Sequence, residues 1–125
     1  MNCYTLVCAQ TVIMDKTNNQ ASLINIYEGI QSANFPFIFP LTVFMSFERE
    51  AGEPDTYQLN ISIELEDQEL YRVPISVAFI GSTFKINMSI NFQGVVIGKP
   101  GRLLVTVWQE QTALKRAYIT IENRK

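Results

Sequence analysis

Over residues 57–66 the chain alternates without a break. Tyr57, Leu59, Ile61, Ile63 and Leu65 share one parity; Gln58, Asn60, Ser62, Glu64 and Glu66 share the other. Residues 84–93 repeat the pattern, with Phe84, Ile86, Met88, Ile90 and Phe92 against Lys85, Asn87, Ser89, Asn91 and Gln93. Successive side chains of a β-strand point to opposite faces, so each stretch predicts a strand with one dry face and one wet face. A helical period of 3.6 would spread the same apolar residues around the whole surface.

The rest of the chain reads the same way, as about eight strands and no helix. Further strands are predicted over 4–14, 22–27, 41–48, 73–79, 102–109 and 113–122. In the 41–48 strand Leu41, Val43, Met45 and Phe47 point inward. The polar run Asp15 to Asn19 reads as a turn, because Asn and Asp tolerate left-handed backbone. Pro36 and Pro40 argue against a central strand over 35–40, which reads as an extended connector or an edge. Pro74 falls on the outward parity of its strand and lacks an amide donor, so that strand belongs at a sheet edge. Val95, Val96 and Ile97 form a separate short segment before the turn Gly98-Lys99-Pro100-Gly101.

For the last hairpin, matching the core faces requires an odd loop such as Glu110, Gln111 and Thr112. That register sets Leu104 beside Tyr118, Thr106 beside Arg116, and Trp108 beside Leu114. Short strands separated by turn residues predict a single all-β domain over 1–125, an antiparallel β-sandwich of seven to nine strands. A small antiparallel β-barrel is the alternative. A parallel sheet is excluded, since its strands are buried on both faces.

Composition narrows the function classes. The chain has 125 residues, 47% hydrophobic and 18% charged, which suits one globular domain. A net charge of −2 and a pI near 5.1 argue against a nucleic-acid binder. The late basic residues Lys99, Arg102, Lys115, Arg116, Arg124 and Lys125 read as surface charge and tail. No apolar run approaches the roughly 20 residues needed to cross a bilayer, and the first residues show no secretion signal. Cys3 and Cys8, if both lie on one strand, stand about 16 Å apart, too far to bridge. Free thiols fit a reducing, cytoplasmic setting.

Catalytic chemistry finds little to use. There is no histidine, which removes the commonest general base and zinc ligand and every Ser-His or Cys-His dyad. No Gly-rich phosphate loop is present, and no cofactor is implied. Glu48, Glu50, Glu53 and Asp55 surround one loop, and Glu64, Glu66, Asp67 and Glu69 the next; solvated loop charge accounts for both, with calcium as the alternative. Asn60, Ser62, Asn87, Ser89, Asn91 and Gln93 could offer a sugar an amide-rich sheet face, but lack an aromatic for stacking.

The best candidate surface is on the last hairpin. If Val105, Val107, Ile119 and Ile121 face the core, then Leu104, Trp108, Leu114, Arg116 and Tyr118 face outward. Outward aromatics beside an arginine have the composition of a protein-contact anchor. The bland reading inverts the parity and places Trp108 in the core. The expectation is a non-enzymatic protein-interaction or structural module that binds a protein partner or itself. The alternative is a small-ligand sandwich for carbohydrate or calcium.

One resemblance runs along the chain. Cys8-Ala9-Gln10 leads to Asp15, followed by Leu23-Ile24-Asn25-Ile26-Tyr27-Glu28-Gly29 and Phe35-Pro36. Pro100-Gly101-Arg102-Leu103-Leu104-Val105-Thr106-Val107 then precedes a final strand. This order resembles an uncharacterised family of small bacterial and phage proteins known as a domain of unknown function. The resemblance covers nearly the whole chain. It implies an immunoglobulin-like β-sandwich with no known activity, and it supplies no catalytic residues.

Overall fold

The computed structural model describes residues 1–18 and 20–124. Nine strands form among them: β1 (Asn2–Asp15), β2 (Gln20–Ile26), β3 (Gly29–Ser32), β4 (Phe37–Glu48), β5 (Thr56–Leu65), β6 (Gln68–Ala78), β7 (Lys85–Ile97), β8 (Gly101–Gln109) and β9 (Thr112–Asn123). They build two sheets, ordered β2-β1-β4-β7 and β3-β9-β8-β5-β6, which do not close into a barrel. Pairing is antiparallel except for β3, which runs parallel to β9. The sandwich expected from the alternation is the fold.

The core lies between the sheets, built from the inward parity of each central strand. Leu41, Val43, Met45 and Phe47 of β4 face Leu59, Ile61, Ile63 and Leu65 of β5, with Leu103, Val105 and Val107 of β8 and Ile119 and Ile121 of β9; all are buried. The two perfect alternations meet different fates. β5 lies between β8 and β6, and its apolar face is buried from Leu59 to Leu65. β7 is an edge, so its Ile86, Met88, Ile90 and Phe92 are only half-buried. A period of two sets which side chains share a face; it says nothing about how many strands flank them. On central β4 the outward residues Thr42, Phe44 and Ser46 are buried too. Thr42 donates to the Gln10 carbonyl at 3.3 Å and Ser46 to the Asn87 Oδ1 at 2.7 Å, so neither hydroxyl is stranded.

Several expectations change. The 35–40 connector is in part the start of β4, a central strand, despite Pro40. From Phe39 to Leu41 β4 advances two residues while β7 advances three, from Val95 back to Phe92. Pro40 therefore sits opposite a bulge at Gln93 and Gly94, where the ladder has no use for its missing amide. The same bulge lets β7 continue through Val95, Val96 and Ile97, which are not a separate segment. The four-residue β3 was not foreseen; its partner is distant in sequence and its own pattern is too short to read. The Asp15 turn holds Thr17 N–H on the Asp15 carboxylate at 2.8 Å, while Asn19 lies outside the described residues. Pro74 is on an edge strand, as its parity required.

Arg49 ties one end of the sandwich together. Its side chain is buried, and its guanidinium donates to the carbonyls of Thr83 at 3.0 Å, Gly81 at 2.9 Å and Pro54 at 3.3 Å, and to the Asp55 carboxylate. It also lies 5.0 Å from the Phe79 ring centroid. One arginine thus closes the loop after β4 onto the loop after β6.

Candidate functional site

The outer face of the five-stranded sheet gathers the aromatic and basic side chains. Inward Val105, Val107, Ile119 and Ile121 are buried, so Leu104, Trp108, Arg116 and Tyr118 point away from the core. Leu104 stands opposite Tyr118, and Thr106 opposite Arg116, as the hairpin register required. The loop differs. It has two residues, Glu110 and Gln111, and the odd residue is taken up by a bulge between Val107 and Trp108. Trp108 therefore faces Ala113. Leu114 is displaced from its expected place, half-buried, and packs against the core cluster.

Trp108 lies across the neighbouring strand. Its indole N–H donates to the Ser62 Oγ at 2.7 Å. Ser62 and Thr106 are fully buried in the adjacent row, although both belong to a nominally wet face. Among the described residues Thr106 Oγ1 has no hydrogen-bond partner. Two guanidinium groups approach the indole from different strands: Arg72 of β6 at 5.5 Å and Arg116 of β9 at 5.8 Å from the ring. Arg102 stacks at 4.8 Å on Tyr118, which is 50% exposed. Cation–π contacts of this kind hold the arginine forks flat against the rings and leave their N–H edges free to donate outward.

Charge on this face is unevenly neutralised. Arg72 pairs with Glu69 at 2.8 Å. Among the described residues, Arg102 and Arg116 take part in no ion pair. Arg72 is invisible to a reading of the last hairpin alone, because it reaches the face from β6, whereas Arg102 stands in that hairpin on the parity of Leu104 and reads from the sequence only as surface charge. The only sequence signal of Arg72 is outward parity on a strand whose neighbours the sequence does not name.

The alternatives find less support. Asn60 and Ser62 belong to the five-stranded sheet and Asn87, Ser89, Asn91 and Gln93 to the four-stranded one, so the amide-rich residues do not form one surface. Among the described residues no three acidic or cysteine side chains converge to hold a metal ion. The recess beside Glu64, Glu66, Asp67, Arg102 and Leu104 encloses about 40 Å³, far below the roughly 300 Å³ of a ligand pocket. A wider recess of about 570 Å³ is lined by Met1, Asn2, Glu48, Arg49, Glu50 and Glu53. Two of its charged groups are already engaged: Arg49 as above, and Glu53 with the terminal amine and the Glu50 N–H. The hydrogen bond from that amine, first, and then the Glu50 N–H hold the Glu53 carboxyl below the usual carboxylate range.

Cys3 and Cys8 are free and buried. Burial pushes the Cys3 thiol up to about 11 and the Cys8 thiol up to about 12, so neither is a nucleophile at neutral pH. No helix among the described residues is long and apolar enough to cross a membrane. Residues 4–122 match the sequence model of a family of unknown function, DUF6941. No curated protein matches the chain.

Proposed function

The chain belongs to DUF6941, a family of unknown function, and from that premise we propose that it is a non-enzymatic protein-binding module. The partner docks on the outer face of the five-stranded sheet, with Trp108 and Tyr118 as anchors and Arg102 and Arg116 as donors to carboxylates on the partner. The observation that carries this reading is the pair of arginine–aromatic stacks on one exposed face, with two arginines lacking an acidic partner in the described chain. Tryptophan, tyrosine and arginine are the residues in which contact energy concentrates, and stacked arginines lose little further entropy on binding.

The connectivity supports the immunoglobulin-like part of the reading. β4 pairs with β7 in one sheet and β5 with β8 in the other, the connections between them cross the sandwich, and β3 lies parallel to the last strand. Two buried free thiols accord with a reducing compartment, and we place the protein in the cytoplasm on that ground.

The test is capture from a lysate of the source cells with three baits: the native chain, the double variant Arg102→Glu with Tyr118→Ala, and Ile80→Ser as a control in the exposed loop after β6. The proposal expects a protein retained by the native chain and by Ile80→Ser and lost with the double variant, its affinity falling as salt rises. Captured proteins that ignore the double variant would overturn it.

A further inference from the structure

The four sheet edges are not alike. β6 carries Glu69, Arg72 and Pro74, and β3 has four residues. β7 begins at Lys85, bulges at Gln93 and Gly94, and has the Gly94 carbonyl at 3.5 Å and the Val96 amide at 3.3 Å from the Tyr71 hydroxyl. Charge, proline, shortness and bulges are the devices that keep an edge from pairing with another chain. β2, Gln-Ala-Ser-Leu-Ile-Asn-Ile over Gln20–Ile26, carries no charge and no proline.

β2 also sits on an arm. β1 pairs with β4 from Asn2 to Ala9, and from Thr11 to Asp15 it pairs with β2 alone. Among the described residues, the half-buried apolar ones that pack against the core include none from 10 to 26. An isolated two-stranded hairpin is marginal in water. This one is apolar on both sides: Val12, Met14 and Leu23 are half-buried on one face. On the other, Ile13, Ile24 and Ile26 are 54%, 42% and 57% exposed. Thr11 faces Ile24 and Ala9 faces Ile26 across the ladder, which places both isoleucines on one side of the arm. The middle of β7 is uncharged as well, but its outer face is Asn87, Ser89 and Asn91, which gain little by leaving water.

We propose that β2 pairs antiparallel with the β2 of a second copy of this chain across a two-fold axis. The two four-stranded sheets then join into one of eight strands. The free edge requires an extended strand, and Ile24 requires an uncharged apolar one; residues 20–24 of β2 are such a strand, ending before Asn25 at φ +56°. A two-fold contact sets a patch against itself, and a segment without charge meets no like-charge repulsion there. The dimer leaves Trp108 and Tyr118 free, because they lie on the other sheet.

Sedimentation of the full chain over a concentration series tests this, with Ile24→Lys and Ile24→Glu as separate variants and Ser89→Lys on β7 as control. Both substitutions are at an exposed site, and far-UV circular dichroism confirms that each variant folds. The native chain and Ser89→Lys should reach twice the monomer mass, and each Ile24 variant should shift to monomer. An equimolar mixture of the two Ile24 variants should recover dimer. Amide exchange over residues 20–24 should slow as native concentration rises. A native chain monomeric throughout, or a dimer that survives both Ile24 variants and is lost in Ser89→Lys, would overturn the assignment.

Discussion

The Trp108 indole hangs from the Ser62 hydroxyl by a 2.7 Å hydrogen bond that joins residues 46 apart in the chain. The bond fixes the ring over β5 and seals Ser62 and Thr106 from solvent. It turns one flexible aromatic into a rigid platform, against which Arg72 and Arg116 rest.

Removing the acceptor therefore loosens the platform before it harms the fold. Ser62→Ala should cost about 1 kcal/mol in urea unfolding, the net worth of one such bond. Tryptophan fluorescence should report a more mobile indole, with lower anisotropy. Unchanged stability and unchanged anisotropy would contradict the platform.

Arg49 is a separate structural matter. Its guanidinium serves three carbonyls and Asp55, so Arg49→Met should cost about 2–4 kcal/mol, the scale of stranding buried partners. Arg49→Lys should recover little of it, because an ammonium cannot reach three carbonyls with one planar fork. Urea melts of both variants check the magnitude. Faster amide exchange confined to residues 50–55 and 79–84 checks the location.

Gly101 and Glu66 are coupled. Gly101 has φ +153°, and a Cβ there would stand 2.6 Å from the Glu66 Cγ. The absence of a side chain lets Glu66 lie along the backbone and accept the Arg102 N–H at 2.8 Å. Gly101→Ala should cost about 1–3 kcal/mol, from the clash and the backbone strain together. In the Glu66→Ala background the cost should shrink, since the clashing Cγ is gone. A double-mutant cycle measures the difference, and simple additivity would refute the coupling.

The buried thiols set an alkaline limit. An unfolded cysteine ionises near 9.0, whereas burial holds Cys3 near 11 and Cys8 near 12. Above pH 9 the unfolded chain therefore binds fewer protons than the folded one, and stability falls with rising pH. The contribution is complete below pH 9 and lost as pH passes the folded values. Unfolding midpoints should be level on this account up to about pH 9 and then decline. Cys3→Ala with Cys8→Ala should flatten that decline. Thiol reagents at pH 8 should label the native chain slowly and the unfolded chain fast.

Much of this was legible in the residues themselves. The alternation over 57–66 gave β5 its faces, and the parity of Pro74 put β6 at an edge. The outward set on the last hairpin followed from the same counting, up to Trp108. Leu114 escaped it because a bulge adds one residue to one strand, and a bulge leaves no periodic trace. Pro40 in a central strand escaped for the same reason, on the opposite sheet. The clamp at Arg49 and the stacking of Arg72 on Trp108 depend on contacts distant in sequence, which no local pattern encodes.

A partner docked as proposed on the Trp108 and Tyr118 face lies within reach of an aromatic photo-crosslinking residue that replaces Tyr118. Placed at position 118 in the full chain expressed in its source cells, it should give one saturable adduct with a single protein species. The same residue at position 80, exposed in the loop after β6, should give none. An adduct shared by both positions, or none at position 118, would overturn the docking proposal.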